Sequence, residues 1–274
     1  MSFEDYLLTI EEEATSLGVS PEIHPDDYIF QFIFQNTTFP SKKDAISYYF
    51  RDGEESAKKL AEILYSICEL DKTNKINLLE FASGYGCVTR HFKNTLPQAE
   101  ITACDIHQKA VDFLEENLGI SAVISTSKPK KLSIKNKYDA VFALSFFSHM
   151  PKEMFSLWLN KLFSFIKPDG FLIFTAHGHK SVKYMPEVKL DETGFGFLQQ
   201  SEQKDLDTSE YGAAITLPNY VLDQIFSMPD AELIMFREGY WWRHQDIYVV
   251  KKIYRPTVLQ KIKMATPKKL LFFR

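Results

Sequence analysis

Leu78-Leu79-Glu80-Phe81-Ala82-Ser83-Gly84-Tyr85-Gly86-Cys87-Val88-Thr89-Arg90-His91-Phe92 decides how this chain reads, together with Asp105 at the end of the next apolar run. Residues 76–82 form an apolar run of buried-strand length, residues 83–86 carry turn chemistry, and residues 88–96 can continue as a helix. Glycines at 84 and 86 let backbone approach a ligand closely. The run Glu100-Ile101-Thr102-Ala103-Cys104-Asp105 then places a carboxylate at a strand's C-terminal edge, where doubly wound sheets bind ribose hydroxyls. Two such strands side by side make a nucleoside site.

The flanks narrow the nucleoside. A dinucleotide fingerprint wants Gly-x-Gly-x-x-Gly, and here the last glycine is replaced by Thr89. Glu80 sits four residues before the first glycine, where the chain leaves the strand. A carboxylate there repels a pyrophosphate and suits an ammonium or a sulfonium.

At this point the chain resembles the class I S-adenosylmethionine-dependent methyltransferases, whose first motif is an acidic residue, three residues, then Gly-x-Gly. Ala103-Cys104-Asp105-Ile106-His107 resembles the family's second motif, and Tyr138-Asp139-Ala140-Val141-Phe142-Ala143-Leu144-Ser145 its fourth strand. Lys167-Pro168-Asp169-Gly170 before Phe171-Leu172-Ile173-Phe174-Thr175 is similar to its Lys-Pro-Gly-Gly turn, with one glycine replaced. The likeness covers residues 76–177 well and the ends loosely.

The resemblance implies an α/β fold: a Rossmann-like, seven-stranded, mostly parallel sheet with helices on both faces, closed by a C-terminal hairpin. It divides the chain into an N-terminal helical cap (1–72), a methyltransferase domain (73–254) with a lid-like insertion (180–217), and a basic tail (255–274). S-adenosyl-L-methionine is the implied cofactor. Gly84 and Gly86 would give backbone access, Asp105 would accept the ribose hydroxyls, Ile106 would cover an adenine face, and Leu144 would join them from the fourth strand. Glu80 would contact the methionine ammonium or fix the glycine loop. Tyr49 and Arg51 belong to an N-terminal element implied to close over the methionine end, with Arg51 as a carboxylate partner; core packing and a solvated charge are the alternatives. The chain departs from the family after strand three, where Val123-Ile124 runs into Ser125-Thr126-Ser127 without an acid for the adenine amino group.

Composition agrees with these expectations. The 274 residues, 45% hydrophobic, suit one large domain with elaborations. With 32 Lys plus Arg against 36 Asp plus Glu, the net charge of −4 argues against a dedicated nucleic-acid binder. Cys68, Cys87 and Cys104 lack metal-ligand spacing and are odd in number, which points to free thiols. The N-terminus has no basic and apolar leader, and no apolar run reaches membrane-spanning length, so a cytoplasmic location is expected. Nothing sets an oligomeric state.

In the N-terminal third, residues 4–17, 28–39, 43–50 and 54–70 read as helices punctuated by Pro21, Pro25 and Pro40. Residues 180–217 have little periodicity and follow the fifth strand's C-terminal end, which favours a lid over the sheet edge. The acceptor is expected to be a small-molecule or saccharide hydroxyl or amine. A neutral histidine is the natural proton taker, and His149, His177, His179 and His244 are available. His149 after strand four, His244 before the last strand and Tyr211 in the insertion form the candidate catalytic set. A non-catalytic cofactor-binding or scaffold protein and a nucleotide-dependent oxidoreductase are the competing classes. The tail carries Lys268, Lys269 and Arg274 beside Leu270, Leu271, Phe272 and Phe273, a pairing that offers weak membrane association as the less favoured reading.

Overall fold

The structure, a computed structural model, describes residues 6–201, 203 and 205–253. Three helices come first: α1 (Leu7–Leu17), α2 (Tyr28–Gln35) and α3 (Lys42–Glu62). Gly18 ends α1 in the left-handed region at φ 64°, Asp27 caps α2 by accepting the Phe30 N–H, and Ser41 caps α3 by accepting the Asp44 N–H. These helices share an apolar core that includes Ile10, Phe30, Ile33, Ile46, Tyr49 and Phe50.

The split expected at Asp52-Gly53 is absent: α3 runs straight through and passes into a π turn at Ile63–Ile67. Packing explains the glycine. A Cβ at Gly53 would stand 2.2 Å from the Cys87 carbonyl oxygen, so a residue that weakens helices is used where α3 crosses the glycine turn at backbone distance.

Beyond α3 come β1 (Ile76–Phe81), α4 (Phe92–Thr95), β2 (Ala99–Asp105), α5 (Gln108–Glu116), β3 (Ser121–Ile124), β4 (Tyr138–Ala143), α6 (Lys152–Ser164), β5 (Ile166–His177), β6 (Phe195–Leu198), β7 (Ala213–Thr216), α7 (Pro218–Phe226), β8 (Ala231–Trp241) and β9 (Gln245–Lys252). The main sheet has seven strands in the order β3-β2-β1-β4-β5-β9-β8. β1 to β5 pair in parallel, and β9 joins antiparallel to both β5 and β8. The chain winds outward from β1 to β3, then returns to place β4 on the other side of β1. That reversal opens a crevice at the strands' C-terminal ends.

Helices cover both faces. Leu79, Phe81 and Val141 pack with Phe155, Trp158 and Leu159 of α6, while Leu78, Ala140 and Phe142 pack with Leu60 of α3 and Trp241. Alternate residues of β1 thus enter opposite layers, as a strand's period of two requires. The segment after β5 is more regular than its sequence suggests: a 3-10 stretch His179–Tyr184 is followed by the β6-β7 antiparallel hairpin. The tail at 255–274 lies outside the described residues.

Candidate active site

A cavity of about 1060 Å³ occupies the crevice at the ends of β1, β2 and β4. Its floor is unusual backbone. Ala82 (φ 59°), Gly84 (φ 55°) and Ser145 (φ 60°) all lie in the left-handed region and all line it. Non-glycine residues in that region store strain and cluster at functional sites. A Cβ on Gly84 would meet nothing within 4 Å, so the turn faces open space there.

Asp105 leaves β2 at the same edge. Its Oδ2 accepts the Gly84 N–H at 2.8 Å; its Oδ1 accepts the His107 N–H at 3.0 Å and lies 3.0 Å from His107 Nδ1. His107 Nε2 continues to Asp205 Oδ2 at 2.9 Å, joining the segment before β7 to the end of β2. The bond to Asp105 holds the His107 pKa above its ordinary value. Ile106 and residues 125–127 complete this wall.

At the ends of β4 and β5, hydrogen bonding settles two tautomers. His149 Nδ1 is 2.9 Å from the Gly212 carbonyl, and His177 Nδ1 is 3.1 Å from that of Ala214. A carbonyl only accepts, so each Nδ1 carries the proton and each Nε2 keeps a lone pair. For His177 that lone pair meets the Gln245 amide at 3.2 Å. The same amide donates to Ser145 Oγ at 2.8 Å, and Gln245 Oε1 accepts from Thr175 at 2.6 Å. Thr175 Oγ1 in turn accepts the Ser145 N–H at 2.8 Å. His149 stacks on Tyr211 with centroids 4.4 Å apart, and both rings line the cavity. Burial pushes the His149 pKa down to about 4 and that of His177 to about 3.

Of the residues singled out from sequence, the cavity brings together Gly84, Asp105, Ile106, Leu144, His149 and Tyr211. Others stand elsewhere. Glu80 is buried behind the turn and accepts the Thr89 hydroxyl at 2.5 Å; burial raises its pKa to about 8, so it holds a proton at neutral pH instead of presenting a carboxylate. Gly86 (φ 80°) faces α5: a Cβ there would come within 2.7 Å of Leu118 and 3.0 Å of Leu114. Tyr49 is fully buried and donates to Asp27 Oδ2 at 2.6 Å. Arg51 points outward to Glu13 at 3.2 Å. His244 lies in the β8-β9 turn, its Nδ1 2.9 Å from the Trp242 carbonyl and its ring 5.6 Å from His177, outside the cavity wall.

Sequence reasoning missed the residue that binds the cap to the turn. Arg90 is buried, and its guanidinium donates to the carbonyls of Gly86, Ser20, Glu22 and Tyr85 and to the Tyr49 hydroxyl. Every donor of the fork is used. The only signal in the sequence was its place four residues after Gly86. Gln245 was also missed as a working residue, although it adjoins His244.

Fold and crevice are those of an α/β protein of the doubly wound type. Residues 79–172 match the family model described as "Methyltransferase domain". The chain is 28% identical over 123 residues to the malonyl-(acyl-carrier protein) O-methyltransferase of Acetivibrio thermocellus, covering 44% of this chain and 43% of that protein. It is 26% identical over 134 residues to the corresponding protein of Bacillus cereus, covering 45% and 46%. Each match spans less than half of the curated relative. The plantazolicin methyltransferase BpumL, solved with a desmethylPZN analog and SAH, shares the fold at TM-score 0.53 and 12% identity over 92% of this chain and 98% of its own. So does SAM-bound CalS10, an amino pentose methyltransferase from Micromonospora echinaspora, at TM-score 0.53 and 12% identity over 73% and 91%. Residues 79–172 thus carry a match to a methyltransferase domain, and the fold around them is the Rossmann-like one of the class I S-adenosylmethionine-dependent methyltransferases.

Proposed function

We propose that this protein transfers a methyl group from S-adenosyl-L-methionine to a hydroxyl or amine of a small-molecule or saccharide acceptor. The observation that carries the reading is one cavity with two chemistries. Gly84 and Asp105 form a nucleoside cradle at one part of its wall, and His149 and Tyr211 stand at another.

The residues present suit the cofactor. Gly84 leaves space where any side chain would intrude, Asp105 is a buried acceptor for hydroxyls, and Ile106 offers apolar surface to a base. A volume of about 1060 Å³ is at the top of the range for a single small ligand, which leaves room for a second reactant. When bound, S-adenosyl-L-methionine supplies a methyl carbon on a cationic sulfur, and the acceptor's lone pair takes that carbon while the S–C pair stays on sulfur. The chain's own work is mostly positioning, which in favourable cases lowers a barrier by about 7–11 kcal/mol. His149 accepts the acceptor's O–H or N–H at Nε2 and so aims its lone pair; the bond from Nδ1 to Gly212 fixes the ring. The segment 180–217 acts as a lid, since its β7 end is bonded to His149 and His177 and its Asp205 to His107.

Calorimetric titration with S-adenosylhomocysteine and with NAD tests the reading. S-adenosylhomocysteine should bind, NAD should not, and Asp105→Ala should weaken the former while leaving the circular dichroism spectrum unchanged. Preference for NAD, or an affinity indifferent to Asp105→Ala, would sink it.

A further inference from the structure

Ser145 lies just past β4 with a φ of 60°, in the left-handed region where glycine would sit with less strain. Strain of this kind collects at functional sites. The hydrogen bonds around its side chain each have one possible direction. The Ala214 carbonyl accepts from His177 Nδ1, so His177 Nε2 is an acceptor, and the Gln245 group 3.2 Å from it is the amide nitrogen. That nitrogen lies 2.8 Å from Ser145 Oγ and can only donate, so Oγ accepts. On the other arm, Thr175 Oγ1 takes the Ser145 N–H and gives its own proton to Gln245 Oε1. Gln245 and Thr175 are buried and do not line the cavity; Ser145 does. Among the described residues Gln245 is the partner of Ser145 Oγ, and it leaves the hydroxyl proton for a ligand.

The place of this donor in the sheet separates it from the nucleoside cradle. Gly84 and Asp105 follow β1 and β2, whereas Ser145 is tied to β5 through Thr175 and to β9 through Gln245, on the other side of β4. His149 comes one turn later, its N–H bonded to the Phe146 carbonyl at 3.1 Å. Its ring lines the same cavity, and the bond to Gly212 leaves a lone pair at Nε2. One turn of chain thus presents a fixed donor and a fixed acceptor.

Given the methyl transfer proposed above, on which this step rests, we infer that Ser145, held by Gln245, donates a hydrogen bond to the reacting atom of the acceptor and that this atom is a hydroxyl oxygen. Such an oxygen has two lone pairs. One receives the Ser145 proton and the other attacks the methyl carbon, while the oxygen's own hydrogen binds His149 Nε2. A neutral amine has a single lone pair, which a hydrogen bond from Ser145 would occupy. The O–C bond forms, the C–S bond breaks with its pair left on sulfur, and the oxygen's proton passes to His149 and then to solvent. A methylated oxonium is far more acidic than an imidazolium, so a ring whose basicity burial has lowered still takes that proton. Gln245 is then a positioning residue that acts through Ser145.

Phenol and aniline, which share a ring, are both uncharged at neutral pH and differ in the second lone pair, are suitable probes. S-adenosylhomocysteine is titrated first by calorimetry, and its binding reports on the methyltransferase reading alone. Each probe is then titrated by ligand-observed NMR into the loaded parent and the loaded variants. Ser145→Gly should weaken phenol about fivefold, the worth of one neutral hydrogen bond, and leave aniline within about twofold. S-adenosylhomocysteine affinity should stay at the parent value, and the melting temperature should stay close to it because relieved strain offsets the lost Gln245 bond. Ser145→Ala repeats the comparison with the strain retained. Gln245→Met should also weaken phenol, and the Ser145→Gly/Gln245→Met double variant should lose no more than the larger single loss, a coupling that a merely structural Gln245 would not show. Additive losses, an equal loss for aniline, phenol affinity unchanged in both Ser145 variants, or no binding of phenol to the loaded parent would overturn the inference.

Discussion

His107 Nδ1 lies 3.0 Å from Oδ1 of Asp105, the same oxygen that accepts the His107 backbone N–H. Both lone pairs of that oxygen are thereby used, and Oδ2 already holds the Gly84 N–H. A ribose that takes both carboxylate oxygens has to displace the imidazole. The His107 pKa is raised, first by this hydrogen bond, so the ring is charged and holds Asp105 hardest at low pH. As pH rises through the raised value, the grip weakens and cofactor product should bind better. Calorimetry with S-adenosylhomocysteine should show affinity increasing several-fold from pH 6 to pH 8, within the roughly 1.5–3 kcal/mol of a charged hydrogen bond. His107→Ala should flatten the slope. The stability contribution has the opposite sense: it is fully present below the unfolded pKa of about 6.5 and lost as pH rises through the folded one.

The two glycines of the turn should separate cleanly. Gly86 faces Leu114 and Leu118 in the left-handed region, so Gly86→Val overpacks α5 and adds backbone strain. A loss of about 2–4 kcal/mol in urea unfolding is expected. Gly84 has open space instead, and Gly84→Val should cost about 1–2 kcal/mol from strain alone while abolishing most S-adenosylhomocysteine binding. If Gly86→Val is as stable as the parent, the packing role assigned to that glycine is wrong.

Arg90 predicts a different pattern. Replacing it with Met takes one donor each from the buried carbonyl of Gly86 and the Tyr49 hydroxyl and removes a positive charge that acts on Asp27. Chemical denaturation should report about 3 kcal/mol or more of lost stability. Because Arg90 joins residues 20–22 to the glycine turn, S-adenosylhomocysteine affinity should fall with it. Undiminished affinity in a destabilised variant would limit Arg90 to holding the cap.

What could be read from the chain follows from where side-chain period meets strand ends. The apolar runs of β1, β2 and β4 have short, bounded lengths, so the residues just beyond them, Gly84, Asp105 and Leu144, were legible as neighbours in one crevice. The cap was not. Ile46, Tyr49, Phe50, Gly53, Ala57 and Leu60 make one buried helical stripe, yet splitting the helix at Gly53 hides its phase. Once that phase is known, Tyr49 falls inside the stripe and Arg51 outside it. Glu80 kept two readings, an ammonium contact or a brace for the glycine loop, because sequence does not show on which side of the turn a strand-end carboxyl lies; its strand neighbours Leu78 and Leu79 are buried on both faces, and the carboxyl follows them inward, bonded to Thr89. His244 was placed by linear proximity to the sheet edge, but Trp242 and Arg243 at φ 47° and 61° turn the chain tightly, and the ring packs on His177 and Tyr184 instead.

His149 offers the sharpest test of mechanism, because its role in turnover and its role in folding respond differently to pH. With its pKa pushed down to about 4, the ring stays neutral and its Nε2 lone pair available through the acidic range, so kcat of the folded enzyme at saturating cofactor should show no limb near pH 6.5. Stability moves the other way. In the unfolded chain the ring takes up a proton below about pH 6.5, whereas the buried ring resists until about pH 4, so stability is lost as pH falls through that window. His177, at about 3, and His91, at about 4, add to the same loss. Turnover and circular dichroism are therefore to be followed together from pH 4.5 to 8. His149→Ala should lower kcat about a hundredfold on whichever acceptor the parent turns over, leave S-adenosylhomocysteine affinity near the parent value, and reduce the acid loss of stability. An acid limb of kcat near pH 6.5 in a fully folded parent saturated with cofactor would mean that another group, titrating normally, controls the methyl acceptor.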